Sequence, residues 1–429
     1  MSASTRIPPI AQPFVSERAK KTLDLVEEFV EKDCIPGDAV FSAELGEGEK
    51  RWQTTPIIME QLKEKAKKLG LWNMFLSKTH FKQGAGFSNL EYGLMAELLG
   101  KSKIASEATN NAAPDTGNME VLAKYGNDAQ KQQWLVPLLE GKIRSAFLMT
   151  EPDVASSDAT NIELDIRREG NEYVLNGSKW WSSGAGDPRC QIYLVMGKTD
   201  PNNSDTYKQQ SVVLVPAGTR GITVNRMLHN VRVPLSAMVL GEGRGFEIIQ
   251  GRLGPGRIHH AMRTIGAAEK ALEWMINRIN DDKKQTFGKP LASHGVILEW
   301  VAKSRIEVDS ARLIVLNAAI KIDQGDAKSA LKEIAQAKVL VPQTALTIID
   351  RAIQSYGAAG VCQDTPLAYL WAGIRTLRIA DGPDEVHLQQ LGRRENRSRK
   401  DAIAAKLKWQ REESDRLLSA AGFKIKSHL

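Results

Sequence analysis

The sequence predicts an α+β protein in three parts: an N-terminal helical domain, a small β-barrel-like middle domain and a C-terminal four-helix bundle. Three observations carry this. Apolar residues recur at helical spacing before about residue 140 and again after about 245. Between those limits, β-branched and aromatic residues gather in short runs. Residues 296–324 contain neither Gly nor Pro, so they read as one long helix. The domain limits are set at 1–144, 145–245 and 246–429.

In the first part, Leu23, Val26, Phe29 and Val30 share one helix face, as do Met59, Leu62 and Ala66. In the middle part, Asn176-Gly177 between β-rich flanks predicts a hairpin turn. QIYLVMG and QSVVLVP read as short buried strands. In the third part, Ile297, Trp300, Val301, Ser304, Val308, Ala311, Val315 and Ala318 form one stripe, and Ile306 and Leu313 lie on another. A helix apolar on two sides belongs inside a bundle. Residues 326–341 and 343–356 continue the helical period, with Pro342 at a start or kink and Gly357 as a stop. A last helical run covers 402–421.

The 429 residues are 42% hydrophobic and 25% charged, which is ordinary globular usage. No run approaches the ~20 apolar residues of a membrane span. Cys34, Cys190 and Cys362 are odd in number and far apart, matching neither a disulfide framework nor a zinc site, and they point to a reducing compartment. The net charge of +7 suits phosphate-bearing ligands but is too diffuse to indicate nucleic acid. Pro8, Pro9 and Pro13 oppose an amphipathic presequence helix. Ser427-His428-Leu429 resembles the Ser-Lys-Leu peroxisomal address, so a peroxisomal location is expected, with mitochondrial or cytoplasmic as alternatives.

Generic signals come to little. Gly241-Glu242-Gly243-Arg244-Gly245 has G-x-G-x-G spacing without a βαβ pattern, and reads as a turn. His259 and His260 are adjacent, so on a helix they diverge by ~100° and serve as packing or ligand-edge residues rather than metal ligands. Three segments are more specific. Residues 147–158 (FLMTEPDVASSD) gather hydroxyls beside backbone freed by Pro152. In 179–184 (KWWSSG), Trp180 and Trp181 would point to opposite faces of a strand, one into the core and one beside a flat ring. In 379–386 (IADGPDEV), three carboxylates flank a Gly-Pro turn, and one could be a positioned base.

Taken together, these segments resemble the acyl-CoA dehydrogenase family. MTEPDVASSDA resembles its flavin-contacting TEP-x-A-G-S-D segment, and 179–184 resembles its K-x-W-I-T-N strand. Residues 287–291 (FGKPL) resemble its R-x-x-F-G-K-P-L segment, 354–360 its Q-x-x-G-G-x-G turn, and ADGPDEVH its Y-E-G-T-x-x-I-x segment. The order is kept across roughly residues 25–394. APDTGNMEVLAKYG, GRLGPGRIHHAMRTIG and IADGPDEVHL resemble the branch of family members ten and eleven. Longer members of that branch add a kinase-like phosphotransferase domain, and this sequence has no such segment.

The resemblance implies FAD as cofactor. It places Phe147, Met149, Thr150, Ser156 and Ser157 along the flavin, with Trp181, Ser182 and Ser183 against the isoalloxazine. Lys284, Thr286 and Phe287, with Gln354 and Gly357 from a neighbouring subunit, would hold the pyrophosphate and adenosine, and Pro383 and Glu385 complete the set. Ser157, Gly254, Pro255, Gly256, Arg257 and Gly382 would meet acyl-CoA, and Asp381 stands at the catalytic carboxylate position. The implied reaction is α,β-dehydrogenation of an acyl-CoA thioester, of the fatty acid β-oxidation type. Asp381 takes the α-proton, and hydride passes to flavin N5. Electrons then pass to an electron-transfer flavoprotein or oxygen, in a homodimer or homotetramer. Alternatives on the same fold are a nitroalkane-oxidase-like enzyme and a non-catalytic flavin- and DNA-binding stress protein. The sequence lacks the clustered basic groove that DNA would need.

Three departures stand out. Asp381 replaces the usual Glu and is one methylene shorter, and a ~1 Å misplacement can cost ~10²-fold in rate. Lys284 replaces an Arg, giving a point charge where a bidentate fork is usual. Only eight residues, TVNRMLHN, separate Ile222 from Val231. The family usually has about fifteen more there, enough for a strand and its turn, so a β-domain strand is expected to be replaced or lost, with weaker FAD binding if lost.

Overall fold

The computed structural model describes residues 2–224 and 227–423, with the side chains at 227–230 and 253–255 excepted. The Ser427-His428-Leu429 tripeptide lies outside the described residues.

Two of the helix starts in the first domain are set by side chains that accept orphan N–H groups. Ser16 accepts from Ala19 N and opens α1 (Glu17–Phe29), which runs through a π turn into α2 (Ile35–Leu45). α3 (Ile57–Lys68) follows, and Ser88 and Glu91 form a capping box on α4 (Asn89–Leu99). The buried Glu91 also accepts from Ser16 N and Oγ at 2.9 and 2.6 Å, tying the start of α1 to the start of α4. α5 (Asp115–Tyr125) leads towards the β domain. Leu23, Val26, Phe29, Val30, Met59, Leu62 and Ala66 are all buried, as their spacing predicts.

The middle domain contains β1 (Arg144–Leu148), β2 (Asp165–Glu169), β3 (Glu172–Ser178), β4 (Cys190–Lys198), β5 (Gln210–Pro216), β6 (Ile222–Thr223) and β7 (Met227–Pro234). The order is β1-β4-β2-β3-β7-β6, with β5 also paired to β4. β1 and β4 are parallel, and β4–β5, β2–β3, β3–β7 and β6–β7 are antiparallel. On β4, Ile192, Leu194 and Met196 join the main helical core, while Tyr193 and Val195 join a separate core inside the β domain. Burial on both faces explains the unbroken apolar run.

Two sequence readings need correction here. Asn176-Gly177 is not the hairpin turn. β2 and β3 are joined at Gly170-Asn171, with Gly170 at φ +59°, while Asn176 and Gly177 lie within β3, where its pairing with β7 slips between Leu175 and Gly177. Gly177 sits at φ +154° against Leu164, whose Cα would be 2.9 Å from an added Cβ. A bulge beside a close backbone approach calls for glycine as strongly as a turn does. The second correction concerns Trp180 and Trp181. β3 ends at Ser178 and Trp181 has φ +52°, so strand alternation does not govern these rings. The short stretch after Gly221 still supplies a strand, since β6 pairs with β7.

The third domain comprises α6 (Gly245–Ile279), a small hairpin of β8 (Gln285–Thr286) and β9 (Lys289–Pro290), α7 (Gly295–Gln324), α8 (Leu331–Tyr356), α9 (Leu367–Leu377) and α10 (Asp384–Ala420). Pro342 is buried inside α8, and Gly357 at φ +62° ends it. The 402–421 run is the far end of α10, which starts much earlier. The first stripe of α7 is largely buried, whereas Ile306 and Leu313 are 66% and 44% exposed. α4 and α6 cross at two glycines: an added Cβ on Gly266 would lie 1.8 Å from Glu97 O, and one on Gly100 would lie 2.0 Å from Arg263 O.

Candidate active site

Between α9 and α10 the chain turns through Asp381 and Gly382, at φ +57° and +95°. Asp tolerates this region and Gly prefers it. Any Cβ at 382 would also fall 2.9 Å from His387 Nε2. Three side chains from three helices hold the turn. Arg257 Nε from α6 donates to Asp381 O at 3.2 Å. His387 Nε2 from α10 meets the same oxygen at 3.2 Å, and because a carbonyl only accepts, Nε2 carries the proton. Lys338 Nζ from α8 donates to Gly382 O at 3.2 Å and to Leu377 O. The Asp381 carboxylate therefore projects from a fixed backbone.

Its electrostatic setting favours the anion. Burial opposes ionisation of Asp381, but the Arg252, Arg257 and Lys338 charges, with His260 adding to them only when protonated, hold the carboxyl below its ordinary range. His260 Nε2 stands 3.9 Å from Asp381 Oδ2. Burial, then the Arg263 charge, depress the His260 imidazole, so it is neutral near pH 7. Burial likewise brings His387 down to about 4 and Lys338 down to about 8. Asp384 and Glu385 are poor rivals for the role of base. Asp384 is buried and bonded by Arg378 Nε at 2.6 Å and Gln343 Nε2 at 3.1 Å, while Glu385 is exposed at the start of α10.

Arg252, also on α6, connects this turn to the β domain. Its guanidinium lies 4.2 Å above the Phe147 ring, its Nε donates to Asn118 Oδ1 at 3.3 Å, and it feels the charge of Asp381. Beside it on α5 is Glu120, buried, with neither carboxyl oxygen hydrogen-bonded. Burial raises the Glu120 carboxyl to about 8 against the pull of Arg252.

Phe147 is on β1, and Met149 and Thr150 follow it, all half-buried. Lys179 Nζ donates to Met149 O at 2.8 Å and pairs with Glu151 at 2.7 Å, and Trp180 N donates to Thr150 O at 3.0 Å. The 147–151 and 179–183 segments are therefore stitched side by side. Ser156 Oγ accepts from Glu151 N at 2.9 Å and shapes the loop, while Ser157 is exposed. Trp181 is 77% exposed beside the half-buried Ser182 and the exposed Ser183. Farther along, Lys284, Thr286, Gln354 and Gly357 are exposed, and Phe287 is 97% exposed at φ +52° on the β8–β9 hairpin. The backbone at Gly254 and Pro255 is helical within α6, their side chains lying outside the description, and Gly256 faces open space. Among the described residues, no group of His, Cys, Asp and Glu is arranged to hold a metal.

Three family models cover the chain in order: the N-terminal domain of acyl-CoA dehydrogenase over residues 16–142, the middle domain over 146–239 and the C-terminal domain over 243–395. Probable acyl-CoA dehydrogenase FadE2 of Mycobacterium tuberculosis is 52% identical over 369 residues, covering 82% of this chain and 89% of its own. The chain belongs to the acyl-CoA dehydrogenase family. Acyl-CoA dehydrogenase family member 11 of Gallus gallus is 49% identical over 415 residues, which are 92% of this chain and 52% of that protein. The chain thus spans about half the length of several curated relatives it matches. A solved structure of an acyl-CoA dehydrogenase from Mycobacterium abscessus superposes with a TM-score of 0.84 at 45% identity, covering 89% of this chain and 99% of that one.

Sequence reasoning missed several residues of this candidate site. Lys338 was not singled out, and Arg252, Glu120 and His387 sat in quoted motifs without a role. The charged residues among them lie in helix interiors, where spacing gives no sign that a charge is turned inward. The sequence signal that was available is the pair His259-His260. One ring packs edge-on to Tyr92 at 4.6 Å, and the other faces Asp381.

Proposed function

We propose that this chain is an FAD-dependent acyl-CoA dehydrogenase in which Asp381 removes the α-proton of an acyl-CoA thioester. The observation that carries the reading is an ionised, partly accessible carboxylate on a turn fixed by Arg257, His387 and Lys338, with Arg252 joining it to the Phe147 strand.

The residues fit a flavin. Trp181 and Phe287 hold large rings in solvent from left-handed backbone, which a flat ligand would cover. Thr150, Ser182 and Ser183 add hydroxyl donors and acceptors beside Trp181. Phe147, Met149, Thr150, Ser157, Trp181, Ser182 and Ser183 would line the cofactor, with the Ser156 hydroxyl shaping the loop that presents them. Lys284, Thr286 and Phe287 would contact its phosphate and adenosine end, joined by Gln354 and Gly357 of a neighbouring copy. Pro383 and Glu385 would meet it beside the catalytic turn. When bound, FAD supplies the hydride acceptor. Gly254, Pro255, Gly256, Arg257 and Gly382 would receive the thioester so that its α-carbon faces Asp381. The final electron acceptor is an electron-transfer flavoprotein or oxygen.

The test is anaerobic flavin absorbance against a panel of acyl-CoA esters. The wild type should bleach. Asp381→Asn should retain FAD and bind acyl-CoA yet lose reduction by several orders of magnitude, because only the proton acceptor is removed. Near-normal reduction by the variant would place the base elsewhere. Peroxide release with nitroalkanes and no bleaching by any acyl-CoA would instead identify an oxidase.

A further inference from the structure

Two histidines approach Asp381, and they approach different atoms. His387 meets the backbone carbonyl, whereas His260 faces the carboxylate. The hydrogen bonds made by the other charged groups around this carboxylate go to other atoms. Arg257 and Lys338 bond backbone carbonyls of the turn and its approach, and Arg252 bonds Asn118.

The His260 tautomer follows from its other neighbour. Arg263 Nη2 lies 3.2 Å from His260 Nδ1, and a guanidinium can only donate. Nδ1 is therefore the acceptor, and in a neutral ring Nε2 carries the hydrogen. The nitrogen that carries it stands 3.9 Å from Asp381 Oδ2, beyond hydrogen-bond length but within about 1 Å of it. Catalytic hydrogen bonds are often this long before substrate enters. Arg263 is itself placed by Asn111 O and Tyr92 OH at 3.3 and 3.5 Å, and His260 O accepts from Thr264 Oγ1 at 2.8 Å. A chain of donors thus runs from the α4–α6 crossing to the carboxylate.

We infer that His260 is a positioning residue for the base: its Nε2–H engages Asp381 Oδ2 when substrate binds, fixing the carboxylate rotamer and leaving Oδ1 for the α-proton. This deepens the proposed function and rests on Asp381 being the base. A short Asp side chain has little reach to spare, so a partner that fixes its direction matters more than it would for a longer carboxylate. The ring stays neutral because burial and the Arg263 and Arg252 charges oppose a second proton, and Lys338 adds to them while Asp381 opposes them. A neutral donor orients the carboxylate without neutralising it as an imidazolium would.

The test compares His260→Gln with His260→Phe in the flavin-loaded protein. Phe keeps the ring volume and loses the donor, while Gln can present an amide N–H near the Nε2 position. His260→Phe should reduce flavin about 10²-fold more slowly at saturating acyl-CoA, with acyl-CoA affinity unchanged. Its acid limb should also move to higher pH, because a donor to the anionic form is lost. His260→Gln should recover most of both. Equal impairment in the two variants, or wild-type behaviour of the Phe variant, overturns the inference. Independently of turnover, ¹⁵N NMR of the histidines, assigned by His260→Gln, should show His260 as a neutral Nε2–H ring near pH 7. An imidazolium or an Nδ1–H ring there also overturns it. If Asp381→Asn reduces flavin normally, the base assignment falls and takes this inference with it. If Asp381→Asn is dead and His260→Phe is normal, only this inference falls.

Discussion

Glu120 and Asp381 are carboxyls that both feel the Arg252 charge, yet their proton affinities move in opposite directions. Burial dominates at Glu120 and raises it to about 8, whereas the surrounding cations outweigh burial at Asp381 and lower it. Between the ordinary Glu value of 4.5 and 8, native Glu120 keeps a proton that the unfolded chain has released. Stability should therefore fall with rising pH across that window, by at most about 1.4 kcal/mol per pH unit from this group. Asp381 contributes stability of the opposite sense, lost only as pH falls through its depressed native value. Lys338, lowered from 10.5 to about 8, makes stability rise with pH above that window. We expect Glu120→Gln to melt increasingly above the wild type as pH goes from 5 to 8, measured by thermal unfolding of the two proteins side by side. Parallel melting curves across that range would mean Glu120 is ionised in the native state. Legibility at this scale was uneven. Asp381 stood in a readable motif, and His260 was singled out with two roles left open. The roles of Arg252, Lys338 and Glu120 were invisible because they arise from burial by distant elements.

The helices of the first and third domains were legible because spacing alone gives the buried face, and the 296–324 run became α7 almost residue for residue. The middle domain was legible in composition but less so in its turns. Asn176-Gly177 has the chemistry of a hairpin turn, yet the tertiary approach of Leu164 uses that glycine as a bulge. The same kind of contact, unseen in sequence, sets the α4–α6 crossing. At Gly266 and Gly100 the added Cβ would meet the neighbouring helix's carbonyl oxygens at 1.8 and 2.0 Å, so only backbone movement could relieve it. Overpacking usually costs about 1–3 kcal/mol, and a clash with main chain belongs at or above the upper end. Gly266→Ala should therefore lower the denaturant midpoint strongly. It should also slow flavin reduction, because α6 carries Arg252, Arg257 and His260. Gly373→Ala, in α9 and facing open space, should be neutral or stabilising by about 0.5–1 kcal/mol. Equal midpoints for the two variants would show that the crossing is not tight.

Across the whole molecule, the second stripe of α7 is left without a cover. Ile306 and Leu313, one heptad apart, are 66% and 44% exposed, and Leu298 on the same helix is 51% exposed. Single exposed apolar residues are ordinary, but a row of them along one long helix is the kind of surface that a second copy of the chain would cover. The exposed Gln354 and Gly357 point to the same conclusion from the cofactor side, since in the proposed arrangement they serve a neighbouring copy. A closed homodimer or homotetramer satisfies both requirements at once, because a symmetric interface can repeat the α7 contact and the cofactor contact on every chain. Light scattering of the flavin-loaded protein should give a dimeric or tetrameric mass. The paired change Ile306→Glu and Leu313→Glu should shift that mass towards the monomer while leaving the helical circular-dichroism signal in place, because both side chains already face solvent within one chain. If neighbouring copies complete each FAD site, flavin content should fall along with the mass. A monomeric wild type carrying full flavin would refute the shared site, and a dissociated variant that kept its flavin would confine the α7 stripe to assembly alone.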